Sequence, residues 1–186
     1  MNAVSPDLDR RFRDAAAATG LLDVAYDLVD SPVGPLLVAV SERGLCRISF
    51  DSEGQLEPLA RSYGTRVLRA ARPVDPVRRQ LDEYFGGARH DFELPLDLTV
   101  SGFYAQVLAE LALVPYGETT TYGALAKRTG HPNAARAIGT VMHNNPVPIV
   151  LPCHRVIGST GSLTGYGGGL EAKRFLLELE RGGTLF

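Results

Sequence analysis

Thr119-Thr120-Thr121-Tyr122-Gly123-Ala124-Leu125-Ala126-Lys127-Arg128-Thr129-Gly130-His131-Pro132-Asn133-Ala134-Ala135-Arg136-Ala137-Ile138-Gly139-Thr140-Val141-Met142-His143 is the stretch that decides the second half of the fold. The hydroxyls of Thr119 to Thr121 can cap a helix over Tyr122–Arg128 that ends at Gly130, and Pro132-Asn133 opens another from Ala134 to about His143. Two short helices joined by a glycine-containing turn form either a helix-turn-helix, which presents a helix to DNA, or an ordinary helical hairpin in a core. At about 100° per residue, Ala134, Ile138, Val141 and Met142 of the second helix share one face, and Arg136, Gly139, Thr140 and His143 turn to the other. A solvated helix face typically carries several Glu and Lys. Small residues around one arginine instead suit a backbone that approaches a groove closely, which favours a docking surface.

Downstream, the apolar run Val147-Pro148-Ile149-Val150-Leu151 leads through Pro152 into Cys153-His154-Arg155-Val156. Proline locks its own φ and restricts the residue before it, so the backbone entering Cys153 has little freedom. The reading is a positioned thiol at the end of a buried segment. The competing reading is a small buried hydrophobe beside a surface histidine, the usual state of a lone cysteine.

Upstream, Phe103, Val107, Leu111 and Leu113 or Val114 mark one face of a helix that stops at Pro115-Tyr116-Gly117. The first half reads differently. Val24 to Val29 alternates, Leu36 to Val40 is apolar and Leu45 to Phe50 forms a third run, separated by turns at residues 31–35 and 41–44; this is an antiparallel meander. Cys46 lies within its third strand, at a core position. Helices follow over Gln55–Tyr63 and Pro76–Phe85, the second with Val77, Leu81 and Tyr84 or Phe85 on one face and Gly86-Gly87 at its end. Asp91 to Leu98, interrupted by Pro95, reads as an extended segment or edge strand. Nothing before about residue 98 suggests chemistry, so a scaffold is expected there. Residues 1–20, with Arg10, Arg11 and Arg13, read as a loosely packed or disordered extension that could place its arginines on a helix.

Composition sets the outer bounds. The 186 residues suffice for one large domain or two small ones, and 45% hydrophobic with 22% charged residues is ordinary for a soluble globular chain. No apolar run approaches the ~20 residues that span a bilayer, and no signal peptide is read at the N-terminus, so a cytoplasmic protein with no membrane partner is expected. The formal net charge of -2 argues against a uniformly basic nucleic-acid binder but leaves room for a local positive face. Two cysteines and four histidines do not readily supply a tetrahedral zinc site, and no metal is expected.

From about Phe103 to Glu180 the chain resembles the O6-alkylguanine-DNA alkyltransferase family, the methylated-DNA–protein-cysteine methyltransferases. The carrying blocks are Pro115 to Gly123, Ala135-Arg136-Ala137-Ile138-Gly139, Asn145 to Val156 with its Pro-Cys-His-Arg-Val, and Tyr166-Gly167-Gly168-Gly169-Leu170 continuing into Lys173 through Glu180. Before residue 100 the likeness is weaker, resting on Ser31 to Leu36 and Leu81-Asp82-Glu83-Tyr84-Phe85. It implies an α/β protein: a ribonuclease-H-like domain, residues 21–98, with a small antiparallel sheet and helices, followed over residues 99–186 by a mostly helical DNA-binding and alkyl-acceptor domain with a helix-turn-helix.

The resemblance also implies the chemistry. An alkyl group on O6 of guanine, with O4 of thymine as a further candidate, passes irreversibly to Cys153 in a single turnover without cofactor. His154 acts as base through a water, Glu180 orients it, and Asn145 braces the turn around the cysteine. Glu178 is the local competitor for the carboxylate role. Double-stranded DNA is approached through the minor groove by a monomer, with Arg136 taking the place of the flipped nucleotide and Thr121, Tyr122, Ala135, Ala137 and Gly139 at the interface. Tyr122, Val156, Ser159 and Tyr166 form the base pocket. The family often has a tryptophan in the first helix of this half, where this chain offers Leu108, which puts packing in doubt. Two rivals remain: a non-catalytic binder of alkylated DNA, against which Cys153 argues, and a Cys-His hydrolase, for which adjacent Cys and His are unusual.

Overall fold

The structure is a computed structural model that describes residues 5–182. The chain divides into two compact units. One comprises residues 5–82 with Glu93–Leu98, and the other Glu83–Phe92 with residues 99–182.

In the first unit, β1 (Val24–Val29), β2 (Leu36–Ser41) and β3 (Gly44–Ser49) form the expected antiparallel meander. A fourth strand, β4 (Val67–Arg69), adds to the free edge of β1 in parallel, giving the order β3-β2-β1-β4. It went unread because three residues are too few for a period. The five residues Leu36 to Val40 of β2 are all buried, as a central strand covered on both faces must be. One face packs Val24, Leu37, Ala39 and Cys46 beneath Leu59 of α2 (Leu56–Tyr63). The segment before Leu98 makes a single bridge, Leu45 to Leu96, with Leu45 N donating to Pro95 O at 2.8 Å.

The N-terminal stretch departs from a loosely packed extension. Residues Pro6–Ala18 form a helix, α1. Ser5 caps it by accepting from Leu8 N at 3.2 Å, Pro6 sits in its first turn, and Asp7 and Asp9 complement the helix dipole there. Ala16 is buried, and Asp14 pairs with Arg72 at 3.4 Å, which ties the helix to its own unit. Residues 1–4 lie outside the described residues.

The second unit is mostly helical. It takes the last turn of α3 (Asp75–Phe85), then α4 (Gly102–Ala112), α5 (Tyr122–Arg128), α6 (Ala135–His143) and α7 (Gly169–Glu180). Leu108 is buried on α4 beside Val107 and Leu111, so the tryptophan-less position is filled by a smaller core residue. A two-stranded parallel ladder pairs β5 (Thr120–Thr121) with β6 (Val156–Ile157). It joins the start of the α5–α6 pair to the segment leaving Cys153. Among the described residues no helix is long and apolar enough to cross a membrane.

Candidate active site and nucleic-acid face

Cys153 opens a single 3-10 turn, Cys153–Arg155, whose three side chains are buried. The approach to it is constrained. Ile149 has φ 76°, a conformation that a β-branched residue adopts only when its surroundings impose it. Those surroundings are identifiable: Asn145 Oδ1 accepts from Val147 N at 3.1 Å and its Nδ2 donates to Leu151 O at 2.8 Å, so one side chain clamps both ends of the loop. Asn145 is buried. Burial pushes the Cys153 thiol up to about 11, and the Asn145 side chain and the Lys173 charge counteract only part of that. The resting sulfur is therefore a neutral thiol that needs a base.

An imidazole stands beside it. His154 is fully buried and its Nε2 lies 2.8 Å from Glu180 Oε1. Burial lowers the imidazole pKa and the Glu180 contact opposes that, leaving the ring neutral at ordinary pH. Burial raises the Glu180 carboxyl, yet the hydrogen bonds from His154 and Arg155 outweigh it and hold the group at about 2. An ionised carboxylate only accepts, so Nε2 carries the hydrogen and Nδ1 the lone pair. Nδ1 is buried and has no hydrogen-bond partner among the described residues. Glu178 is exposed, and Glu180 is the carboxylate that reaches the site.

Helix α7 explains how two distant groups meet the turn. Lys173, Leu176, Leu177 and Glu180 fall on its buried face at spacings of three and four, placing Lys173 and Glu180 two turns apart. Lys173 Nζ donates to Val156 O at 2.7 Å and Thr164 O at 3.0 Å, fixing the chain on the far side of Cys153. Arg155 completes the arrangement: Nε and Nη2 each donate to Glu180 at 2.8 Å, and its Cζ lies 5.8 Å from the Tyr116 ring centre. Tyr84 Oη donates to Glu180 Oε1 at 2.7 Å, and Gly117 N to Oε2 at 3.1 Å. Sequence reading found Cys153, His154, Asn145 and Glu180 but gave no role to Arg155, Tyr84 or Lys173. Arg155 stood within the quoted motif, whereas nothing in a helical apolar stripe marks Tyr84 as a donor.

The remaining predicted residues are spread over α5, α6 and the segment that follows Cys153. Thr121 caps α5, accepting from Ala124 N at 3.1 Å. The Tyr122 hydroxyl accepts from Thr164 Oγ1 at 2.9 Å, and its ring lies under Gly139, where an added Cβ would meet Cε1 at 4.0 Å. On α6, Ile138, Val141 and Met142 are buried, while Arg136, Ala137, Thr140 and His143 are exposed and Ala135 and Gly139 half-buried. Val156 is buried, and the half-buried Tyr166 sets its ring edge-on to His154 with centres 6.3 Å apart. Ser159 is exposed in the turn closed by Gly158 N to Ser162 O at 2.9 Å.

Comparison with known proteins places this arrangement in a class. The 6-O-methylguanine DNA methyltransferase, DNA binding domain model matches residues 102–182, and the ribonuclease-like domain model of the same family matches residues 24–98. Two relatives named methylated-DNA–protein-cysteine methyltransferase are each 42% identical: that of Methanosarcina barkeri, over 83% of this chain and 96% of its own, and that of Mycobacterium tuberculosis, over 85% and 93%. The crystal structure of M. tuberculosis OGT in complex with DNA matches with a TM-score of 0.77 at 39% identity, covering 86% of this chain and 94% of that one. The chain belongs to the methylated-DNA–protein-cysteine methyltransferase family.

Proposed function

We propose that this protein repairs alkylated DNA by transferring an alkyl group, methyl above all, from O6 of guanine to Cys153, once per molecule. The observation that carries the reading is a buried neutral thiol next to a neutral imidazole whose Nε2 is tied to an ionised carboxylate, with the turn joined by the β5–β6 ladder to the start of the α5–α6 pair, whose second helix exposes small residues and one arginine.

His154 Nδ1 takes the thiol proton through one bridging water, and Glu180 holds the imidazole through Nε2. The thiolate attacks the alkyl carbon, the C–S bond forms, and the C–O6 bond breaks with its electron pair going to oxygen. The proton lost by sulfur returns through His154 to the released guanine, so the products are guanine and S-alkylcysteine. The balance closes without a cofactor. No group at the site can cleave the thioether, so each molecule acts once.

The alkylated nucleotide reaches the sulfur only by leaving the duplex, at a cost of a few kcal/mol. Arg136 on α6 enters from the minor groove and occupies the vacated position, with Ala135, Ala137 and Gly139 permitting close approach and Thr121 and Tyr122 at the phosphate beside it. Tyr122, Val156, Ser159 and Tyr166 border the flipped base. On this reading residues 21–98 are a ribonuclease-like support, residues 99–186 carry DNA binding and acceptor chemistry, and the protein works as a cytoplasmic monomer.

Intact mass and peptide mapping after incubation with a duplex containing O6-methylguanine test the reading. One added methyl on the Cys153 peptide, absent from Cys153→Ala, is the expected result. Binding of the duplex without a mass change would replace transfer by damage recognition alone.

A further inference from the structure

Glu180 receives more donors than orienting one histidine requires. Oε1 accepts from Tyr84 Oη at 2.7 Å and from His154 Nε2 and Arg155 Nη2 at 2.8 Å each; Oε2 accepts from Arg155 Nε at 2.8 Å and Gly117 N at 3.1 Å. A carboxylate offers about four lone-pair sites, so every direction around this one is taken. The donors are not equivalent. His154 and Arg155 belong to the same turn as Cys153 and move with it. Tyr84 lies 96 residues before Glu180, buried among Phe85, Phe92 and Tyr116 at ring-centre distances of 5.4, 5.3 and 6.1 Å.

We infer that Tyr84 is a positioning residue for alkyl transfer: its hydroxyl anchors Glu180 from outside the acceptor turn and limits how strongly that carboxylate pulls on His154. The inference rests on the transfer reading above. Burial and the adjacent carboxylate push the Tyr84 phenol far above its ordinary range, so it remains a donor wherever the protein is folded. Its hydrogen bond uses acceptor capacity on Oε1, the oxygen that faces the imidazole. Without it, Oε1 stabilises the imidazolium more, and protonated His154 cannot accept the thiol proton. The other groups facing His154 are Arg155 on its own turn, Lys173 on α7 and Tyr166 on the following loop. Tyr84→Phe leaves each of these side chains in place and removes one phenolic oxygen. Although Tyr84 falls within the stretch matched by the ribonuclease-like domain model, it belongs to the second compact unit. The half read from sequence as scaffold thus supplies a group to the site.

The test is the single-turnover rate of methyl transfer from an O6-methylguanine duplex, measured across pH for the unaltered protein and Tyr84→Phe. Loss of one hydrogen bond to a charged group should slow transfer about tenfold, with duplex affinity unchanged, and move the acid-side midpoint of the rate profile upward. Site-specific replacement of Tyr84 by 3-fluorotyrosine, a stronger donor of nearly the same shape, should move that midpoint downward and remains informative if the Phe variant does not fold. Unchanged rate and midpoint with only a lowered melting temperature would overturn the inference and leave Tyr84 a packing residue. Failure of the unaltered protein to acquire the methyl group would instead remove the transfer reading itself.

Discussion

The two cysteines are both buried, and burial raises both thiols, to about 12 for Cys46 and about 11 for Cys153. Their surroundings differ in kind. Cys46 lies in β3 between apolar neighbours and spends its S–H on the Ala39 carbonyl at 3.3 Å. Cys153 begins a turn in which Asn145, Lys173 and His154 act on the sulfur. Exposure and thiol pKa alone would not tell the acceptor from the core residue; what separates them is a histidine next in sequence whose Nδ1 has no hydrogen-bond partner among the described residues. The contrast sets the largest expected effect. Cys153→Ala should abolish the methyl adduct, whereas Cys46→Ala should leave one adduct per molecule and lower stability by about 1–2 kcal/mol, read by intact mass and urea unfolding. An adduct on Cys46 would end the distinction.

The same contrast appears among ionised groups. In the first unit Asp27 is buried and salt-bridged to Arg69 and Arg78, whose side chains remain partly exposed. Glu180 and Arg155 are both sequestered in the second unit, their side chains 1% and 7% exposed. Removing one member of a sequestered pair leaves the other charge in a poorly solvating interior. Arg155→Leu should therefore destabilise by about 3–5 kcal/mol, and the corresponding loss for Arg69→Leu at the half-open pair should be about 1 kcal/mol or less. Equal losses in urea unfolding would show that burial does not distinguish the two.

Acid sharpens the point with a smaller effect. The folded Glu180 carboxyl sits at about 2 against an ordinary 4.5. A depressed carboxyl stabilises the fold fully above the unfolded value and loses that contribution as pH falls through the folded one. Stability worth about 3 kcal/mol should thus disappear between pH ~4.5 and ~2. In Glu180→Gln this position no longer titrates, so the unaltered protein and the variant should converge across that window. Curves that stay parallel would mean that Glu180 is not held ionised.

Legibility in the sequence followed the range of the interactions. Caps, turns and periodicity placed the meander, α5 and α6, because each depends on neighbours a few residues away. Cys153 and His154 were legible as a compact motif, and Asn145 and Glu180 only through resemblance, since a helix with Glu178 and Glu180 does not announce which one turns inward. Tyr84 and the parallel strand β4 were not legible, for a common reason: each acquires its role from a partner far along the chain, Glu180 for one and β1 for the other. The N-terminal helix was read only as an option for the arginines of a loosely packed or disordered extension. Its signals are local, with Ser5 as cap and acidic residues in the first turn, but arginine-rich and alanine-rich composition was given more weight than the cap.

The smallest effect on the fold is expected where the reading demands a large effect on DNA. Arg136 and Arg155 are both placed by the helical and acceptor motifs, yet Arg155 has its fork closed on Glu180 while Arg136 is exposed on α6. Replacing an exposed side chain changes stability by no more than about 0.5 kcal/mol, so Arg136→Ala should unfold as the unaltered protein does. On the proposed reading the same substitution removes the side chain that takes the flipped nucleotide's place, and without it unstacking is uncompensated. Transfer at limiting duplex should therefore slow by at least tenfold, and raising the duplex concentration should recover part of the loss. An Arg136→Ala variant that transfers at full rate from limiting duplex would detach α6 from the DNA and require another face of the second unit to make the approach.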